Sequence, residues 1–258
     1  MNKQTFLTLL ATFALLFSFT FSCHAKGKDK AKHVVFIGLD GWGAYSLPKA
    51  DMPNVKKLME DGAYTLKKRS ALPSSSAINW ASMFMGAGPE LHGYTEWGSK
   101  TPELPSRVLN KNGIFPTVFQ LLRDARPEAE IGCLYEWEGI KYLVDTLSLS
   151  YHYHVADCNK TPKELGNMAS SYIKEKHPAL VAICYDGPDH TGHTAGHDTP
   201  EYYEKLKELD MYVGQIVQAV KDAGMLDDTI FILTSDHGGI DKGHGGKTMQ
   251  EMETAFII

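Results

Sequence analysis

Between Cys184 and Pro200 the chain reads CYDGPDHTGHTAGHDTP, which crowds Asp186, Asp189, His190, His193, His197 and Asp198 into one short stretch. Such a set serves as metal ligands, as a proton relay or as an ordinary polar loop. Spacing alone pairs His193 with His197, four apart as on one face of a helix, but Gly192 and Gly196 argue against a regular helix there. Asp189 and His193 are four apart as well. Two further apolar runs end in chemistry-bearing residues: VVFIGLDG in Asp40, and IFILTSDHGG in Asp236 and His237. Singly, each is unremarkable. Asp40–Gly41 is a common turn pair, and His244 in KGHGG reads alone as a loop histidine. Gathered at one crevice, however, uncompensated carboxylates repel each other and lose hydration. A divalent cation removes both costs, and mixed His and Asp ligation suits Zn²⁺ better than Mg²⁺ or Ca²⁺.

A hydrolase also needs a nucleophile. LPSSSAINW sets Ser74, Ser75 and Ser76 where an apolar helical run begins. A helix N-terminus attracts anions, and a hydroxyl beside a bound cation loses its proton readily. The plain alternative is an N-cap serine. No GxSxG elbow surrounds these serines, and the chain has neither a P-loop nor GxGxxG. That argues against an α/β-hydrolase triad and against NTPase or dinucleotide chemistry.

The elements that must position these residues alternate. HVVFIGLDG, EIGCLYEW, ALVAICYDG and TIFILTSDHGG are continuous apolar runs, as in strands buried on both faces. AYTLKKRSAL and TAFII are further strands. MPNVKKLMEDG, PSSSAINWASMFMG, FPTVFQLLRDARPE, TPKELGNMASSYIKEKHP and the long TPEYYEKLKELDMYVGQIVQAVKDAGM have helical spacing, with capping signals at Thr161 and Thr199. The alternation predicts an α/β fold: a mainly parallel central sheet with helices on both faces, its ligands outside the carboxyl ends of the strands.

Composition bounds the rest. The 258 residues are 43% hydrophobic and carry a formal net charge of -5, which suits a globular chain and leaves no basic footprint for nucleic acid. MNKQ followed by FLTLLATFALLFSFTFS and CHA reads as a signal peptide cleaved after Ala25. Residues 26–32 are then a linker and 33–258 the domain, with no membrane-spanning segment in the mature chain. Export to the periplasm or beyond follows, with acylation at Cys23 as the lesser alternative. No CxxC spacing exists among Cys133, Cys158 and Cys184, and Cys184 reads as core. The stop at Ile258, inside an apolar run, favours a fragment. Oligomeric state is not set by the sequence.

In order, the chain carries GLDG, PSSSAIN, GAGPELHG, PDHTGHTAG, SDHGG and GHGG. This series resembles the alkaline phosphatase superfamily, and within it the type I phosphodiesterase/nucleotide pyrophosphatase family, over roughly residues 33–258. The resemblance implies an alkaline phosphatase-like fold and two zinc ions, other divalent cations being possible. Asp40, Asp236 and His237 would hold one ion, and Asp189, His193 and His244 the other. Ser76 would be the metal-bound nucleophile that forms a phosphoseryl intermediate, and Asn79 would hold a phosphoryl oxygen. Asp186, His190 and His197 would then surround the site or form its rim. The aromatic residues Trp42, Trp80, Tyr94 and Trp97 beside the motifs are candidates for stacking on a substrate, or else core; Trp42 and Trp97 are taken as substrate-binding.

The chain departs from the family where Ala77 and Ile78 replace the usual aromatic–proline pair, which leaves Ser75 as an alternative nucleophile. It has no room for a large cap domain. It also lacks the C/S-x-P-x-R signature of sulfatases, and third-site acidic ligands cannot be located. The expected substrate is a small phosphate ester, a phosphodiester or nucleotide pyrophosphate first. The alternatives are a phosphomonoesterase, a phosphonate hydrolase or a non-catalytic metal-binding relative.

Overall fold

The computed structural model describes residues 31–156 and 162–258. The leader, Cys23, Cys158 and the Thr161 capping signal lie outside the described residues. Among the described residues, seven strands form one sheet: β1 (His33–Leu39), β2 (Tyr64–Arg69), β3 (Ile131–Tyr135), β4 (Tyr151–His154), β5 (Leu180–Tyr185), β6 (Thr229–Thr234) and β7 (Glu253–Ile257). Their order is β2-β7-β6-β1-β5-β3-β4. The β6-β1-β5-β3-β4 block is parallel, and β7 pairs antiparallel with both β6 and β2. The helices are α1 (Pro53–Asp61), α2 (Ser76–Met85), α3 (Pro89–His92), α4 (Val118–Ala125), α5 (Pro162–Lys176), α6 (Gly187–Ala195), α7 (Pro200–Asp222) and α8 (Met249–Met252).

The apolar alternation of β1 explains the layers. Val35, Ile37 and Leu39 point to a core shared with α1, α5 and α7. Val34 and Phe36 point to a second core under α2 and α4, built around Trp80, Phe84 and Phe119. Helices thus cover both faces, as the strand–helix alternation predicts. Cys133 and Cys184 are buried free thiols on the adjacent strands β3 and β5. Among the described residues, no helix is long and apolar enough to cross a membrane.

β1, β5 and β6 lie side by side, so Asp40, the Asp186–Asp189 segment and Ser235–His237 emerge together at their carboxyl ends. Two features differ from the sequence expectation. β4 (YHYH) is an edge strand with little apolar signal. The stretch after β5, expected to be irregular, forms helix α6. The intrinsic cost of Gly192 is outweighed by packing, since the His197 ring lies where a side chain at Gly192 would stand.

Candidate active site

Ser76 opens α2, and its Oγ lies 3.1 Å from Nε2 of His237. That nitrogen is 3.4 Å from Asp40 Oδ1 and 3.2 Å from Asp236 Oδ2. Each carboxylate is fixed by its other oxygen: the Trp80 indole N–H donates to Asp40 Oδ2 at 2.8 Å, and the Gly41 amide donates to Asp236 Oδ1 at 3.2 Å. Ser235 Oγ accepts from the Trp42 amide and donates to the His237 carbonyl, locking the turn after β6. Beside this buried group lies a second. Asp189 and His193 stand one turn apart on α6, with Oδ2 and Nε2 at 3.1 Å, and His244 Nε2 is 3.8 Å from Asp189 Oδ1. Ligand atoms of Asp40, Asp189 and His237 lie within 4.8 Å of one another, as do those of Asp189, His193 and His244. Asp189 therefore belongs to both groups.

The histidine tautomers point the same way. Nδ1 faces a backbone carbonyl in each ring: Gly238 for His237 at 2.7 Å, Lys242 for His193 at 2.9 Å and Ser74 for His244 at 3.0 Å. A carbonyl only accepts, so Nδ1 carries the proton and a neutral ring turns its Nε2 lone pair inward. That is how metal-binding histidines are oriented. Opposite them, Asp40 Oδ1, Asp189 Oδ1 and Asp236 Oδ2 are buried without any hydrogen-bond partner. Each such atom costs about 1–3 kcal/mol, more when charged. Three orphaned carboxylate oxygens facing lone-pair nitrogens fit divalent cations.

Electrostatics agree. Burial, then the charges of Asp236, Asp189 and Asp186, push the Asp40 carboxyl well above its ordinary range. Burial and Asp189 raise Asp186 to about 7. Asp189 is opposed by burial too, but the His193 hydrogen bond and the surrounding imidazoles hold it well below the usual carboxylate range. In return, Asp189 lifts His193 to about 9. In the cation-free protein that proton sits where positive charge is wanted.

A profile of the type I phosphodiesterase/nucleotide pyrophosphatase family matches residues 34–248. The chain belongs to that family. It is 26% identical over 221 residues to bis(5'-adenosyl)-triphosphatase enpp4 of Mus musculus, covering 81% of this chain and 48% of that protein. It is 30% identical over 117 residues to GPI ethanolamine phosphate transferase 3 of Schizosaccharomyces pombe, covering 45% of this chain and 12% of the other. Mouse ectonucleotide pyrophosphatase/phosphodiesterase 5 superposes with a TM-score of 0.65 at 19% identity, covering 80% of this chain and 57% of that one. A 2-O GAG sulfatase superposes at 0.66 with 12% identity, covering 88% and 64%. These structures show the shared alkaline phosphatase-like fold. The chain spans about half the length of the mouse enzyme enpp4.

Within this phosphodiesterase-family site, the six residues expected from the sequence as metal ligands lie close together, with Ser76 beside His237. Asn79 is placed differently from expectation. Its Oδ1 accepts the Ala71 amide at 2.7 Å, and its Nδ2 faces the carbonyls of Ser75, Pro73 and Ala71. Its capacity is thus filled bracing the segment before Ser76, and none is left for a phosphoryl oxygen. Trp42 is another correction: it is wholly buried in the α1/α7 core and has no face to offer a substrate. Trp97 is 67% exposed, and its carbonyl accepts the Ala77 amide, so its backbone lies beside the start of α2. Asp186 and His190 are half-buried around the site, and His197 is buried beside Asp189.

Two residues take parts that sequence reading missed. Trp80, treated only as a stacking candidate, supports Asp40 through its indole N–H. Ser74 donates to the Gly246 carbonyl at 2.6 Å and accepts the Gly245 amide, while its own carbonyl takes the His244 ring proton. It ties the nucleophile segment to the His244 loop. The partners are some 170 residues apart, so only the spacing of the leading serine in PSSS could have flagged it.

Proposed function

We propose that this chain is a metal-dependent hydrolase of phosphate esters, phosphodiesters or nucleotide pyrophosphates first, acting through Ser76 with two zinc ions. The observation that carries the reading is the set of orphaned carboxylate oxygens facing inward Nε2 atoms, one of which meets the Ser76 hydroxyl. Asp40, Asp236, His237 and Ser76 would hold one cation, and Asp189, His193 and His244 the other. When bound, such cations supply Lewis acidity and lower the pKa of coordinated oxygen.

The chain's own residues do the rest. α2 presents Ser76 Oγ at its first turn, and Asn79 fixes the preceding backbone so that the hydroxyl keeps its position. Oγ attacks phosphorus, the bond to the leaving oxygen breaks, and a phosphoserine ester forms. Water then cleaves that ester, so configuration at phosphorus is retained over two displacements. Trp97 offers an exposed aromatic face for the leaving group. Ser75 is less suited as nucleophile, because Ser76 is the serine whose hydroxyl meets His237. The apolar N-terminal segment supports export to the periplasm or the exterior.

A phosphomonoesterase is the second reading. The test is metal analysis with parallel assays on p-nitrophenyl phosphate and bis-p-nitrophenyl phosphate. About two zinc ions per chain and a higher kcat/KM on the diester are expected. Full diester hydrolysis by Ser76→Ala would sink the assignment.

A further inference from the structure

His197 is not among the residues to which the family motif gives a role. It follows the last glycine of PDHTGHTAG, and its nitrogens fall outside both ligand groups. Yet its surroundings are built for it. The residue is 4% exposed, and neither Nδ1 nor Nε2 has a hydrogen-bond partner. The ring is pinned between two glycines: a Cβ at Gly192 would lie 2.3 Å from it, and one at Gly239 2.2 Å. A third side packs on Tyr202, with ring centroids 5.4 Å apart. The cradle thus joins α6 to the turn that follows the Asp236–His237 pair.

A phenyl ring would fill this space without desolvating two nitrogens, a cost of about 1–3 kcal/mol for each unsatisfied group. An imidazole therefore needs a polar task. Among the described residues, the one carboxylate oxygen within 4 Å is Asp189 Oδ1, at 3.9 Å from Nε2, and that oxygen is itself an orphan. The other three rings each have Nδ1 held by a carbonyl and Nε2 turned inward towards the carboxylates, whereas His197 has neither restraint.

We propose that His197 is a positioning residue for Asp189, donating from Nε2–H to Oδ1 and so setting the affinity of the cation site that Asp189 shares with His193 and His244. The inference rests on the two-cation reading above. Outer partners of metal ligands of this kind are worth about 10–100-fold in affinity.

The test is zinc binding to metal-free protein by competition with a chromophoric chelator, alongside melting of the metal-free state. In His197→Phe, which keeps the ring volume, one of the two zinc ions should bind about 10–100-fold more weakly while metal-free melting stays near wild type. His197→Gln, which restores a donor, should recover part of the loss. Unchanged affinity for both ions in His197→Phe would overturn the proposal. Should that variant not fold, the ring ¹⁵N spectrum of zinc-loaded wild type decides: a proton on Nε2 is expected, and a proton on Nδ1 overturns it. A wild type that binds no zinc overturns the two-cation reading itself, and is seen before any substitution is made.

Discussion

The Asp40–Asp236–His237 group and the Asp189–His193–His244 group meet at Asp189, but they are made from different material. The first sits on the ends of β1 and β6, its three side chains all but sealed from solvent, each carboxylate pinned through one oxygen by Trp80 or Gly41. The second sits on a helix and a loop, with the His193 side chain 46% exposed. Strand ends inside a parallel sheet cannot move without breaking the ladder, whereas α6 and the 242–246 segment are held by side-chain and loop hydrogen bonds. On the proposed reading, the sealed group would hold its cation permanently beside Ser76. On the same reading, the open group would hold a cation that exchanges with solvent.

Substitutions can break this contrast. The largest effect is expected from Asp40→Asn. It should remove the sealed cation and lower kcat by about 10³-fold or more, the worth of several kcal/mol of charge stabilisation, with no rescue by excess zinc. His193→Ala should instead lose its ion on dialysis and regain activity when zinc is added. Equal rescue of both variants would erase the distinction. Next, Trp80→Phe removes the N–H to Asp40 and should weaken the sealed site by about 10–100-fold in a chelator titration, leaving the open site unchanged.

Ser74→Ala comes third. It removes the hydroxyl that joins the nucleophile segment to Gly245 and Gly246, and should cost about 1–2 kcal/mol of stability by urea unfolding. Its activity should recover with zinc, since it touches the His244 side. The smallest effect is one of pH. His92 is buried, its Nδ1 accepts the Tyr94 amide and its Nε2 faces Ser82 on α2, and burial lowers it to about 4. The unfolded chain takes up this proton first, near pH 6.5. Stability is thus complete above that pH and drains away as pH falls towards 4. At saturating zinc, the urea midpoint of His92→Gln should change less between pH 7.5 and 5 than that of wild type.

Much of this was legible because burial on both faces leaves a strong mark: β1, β5 and β6 are unbroken apolar runs, and their terminal acids announce the crevice. The direction of β7 was not legible, because five residues of apolar sequence carry no sign of orientation. α6 was misread because a glycine rule that holds for isolated helices ignores the ring that fills the gap. Asn79 was misassigned because its partners are backbone groups of a non-helical segment, which spacing does not reveal. Trp42 and Trp97 flank motifs equally in sequence, yet one enters the core and the other reaches solvent, a choice made by tertiary packing.

The most direct test is to trap the covalent intermediate. Zinc-loaded protein turning over bis-p-nitrophenyl phosphate is quenched in acid, digested and mapped by mass spectrometry. A phosphoryl adduct on Ser76, absent from Ser76→Ala, is expected. Turnover with an adduct on Ser75, or continued turnover by Ser76→Ala, would contradict the assignment of Ser76 as the nucleophile.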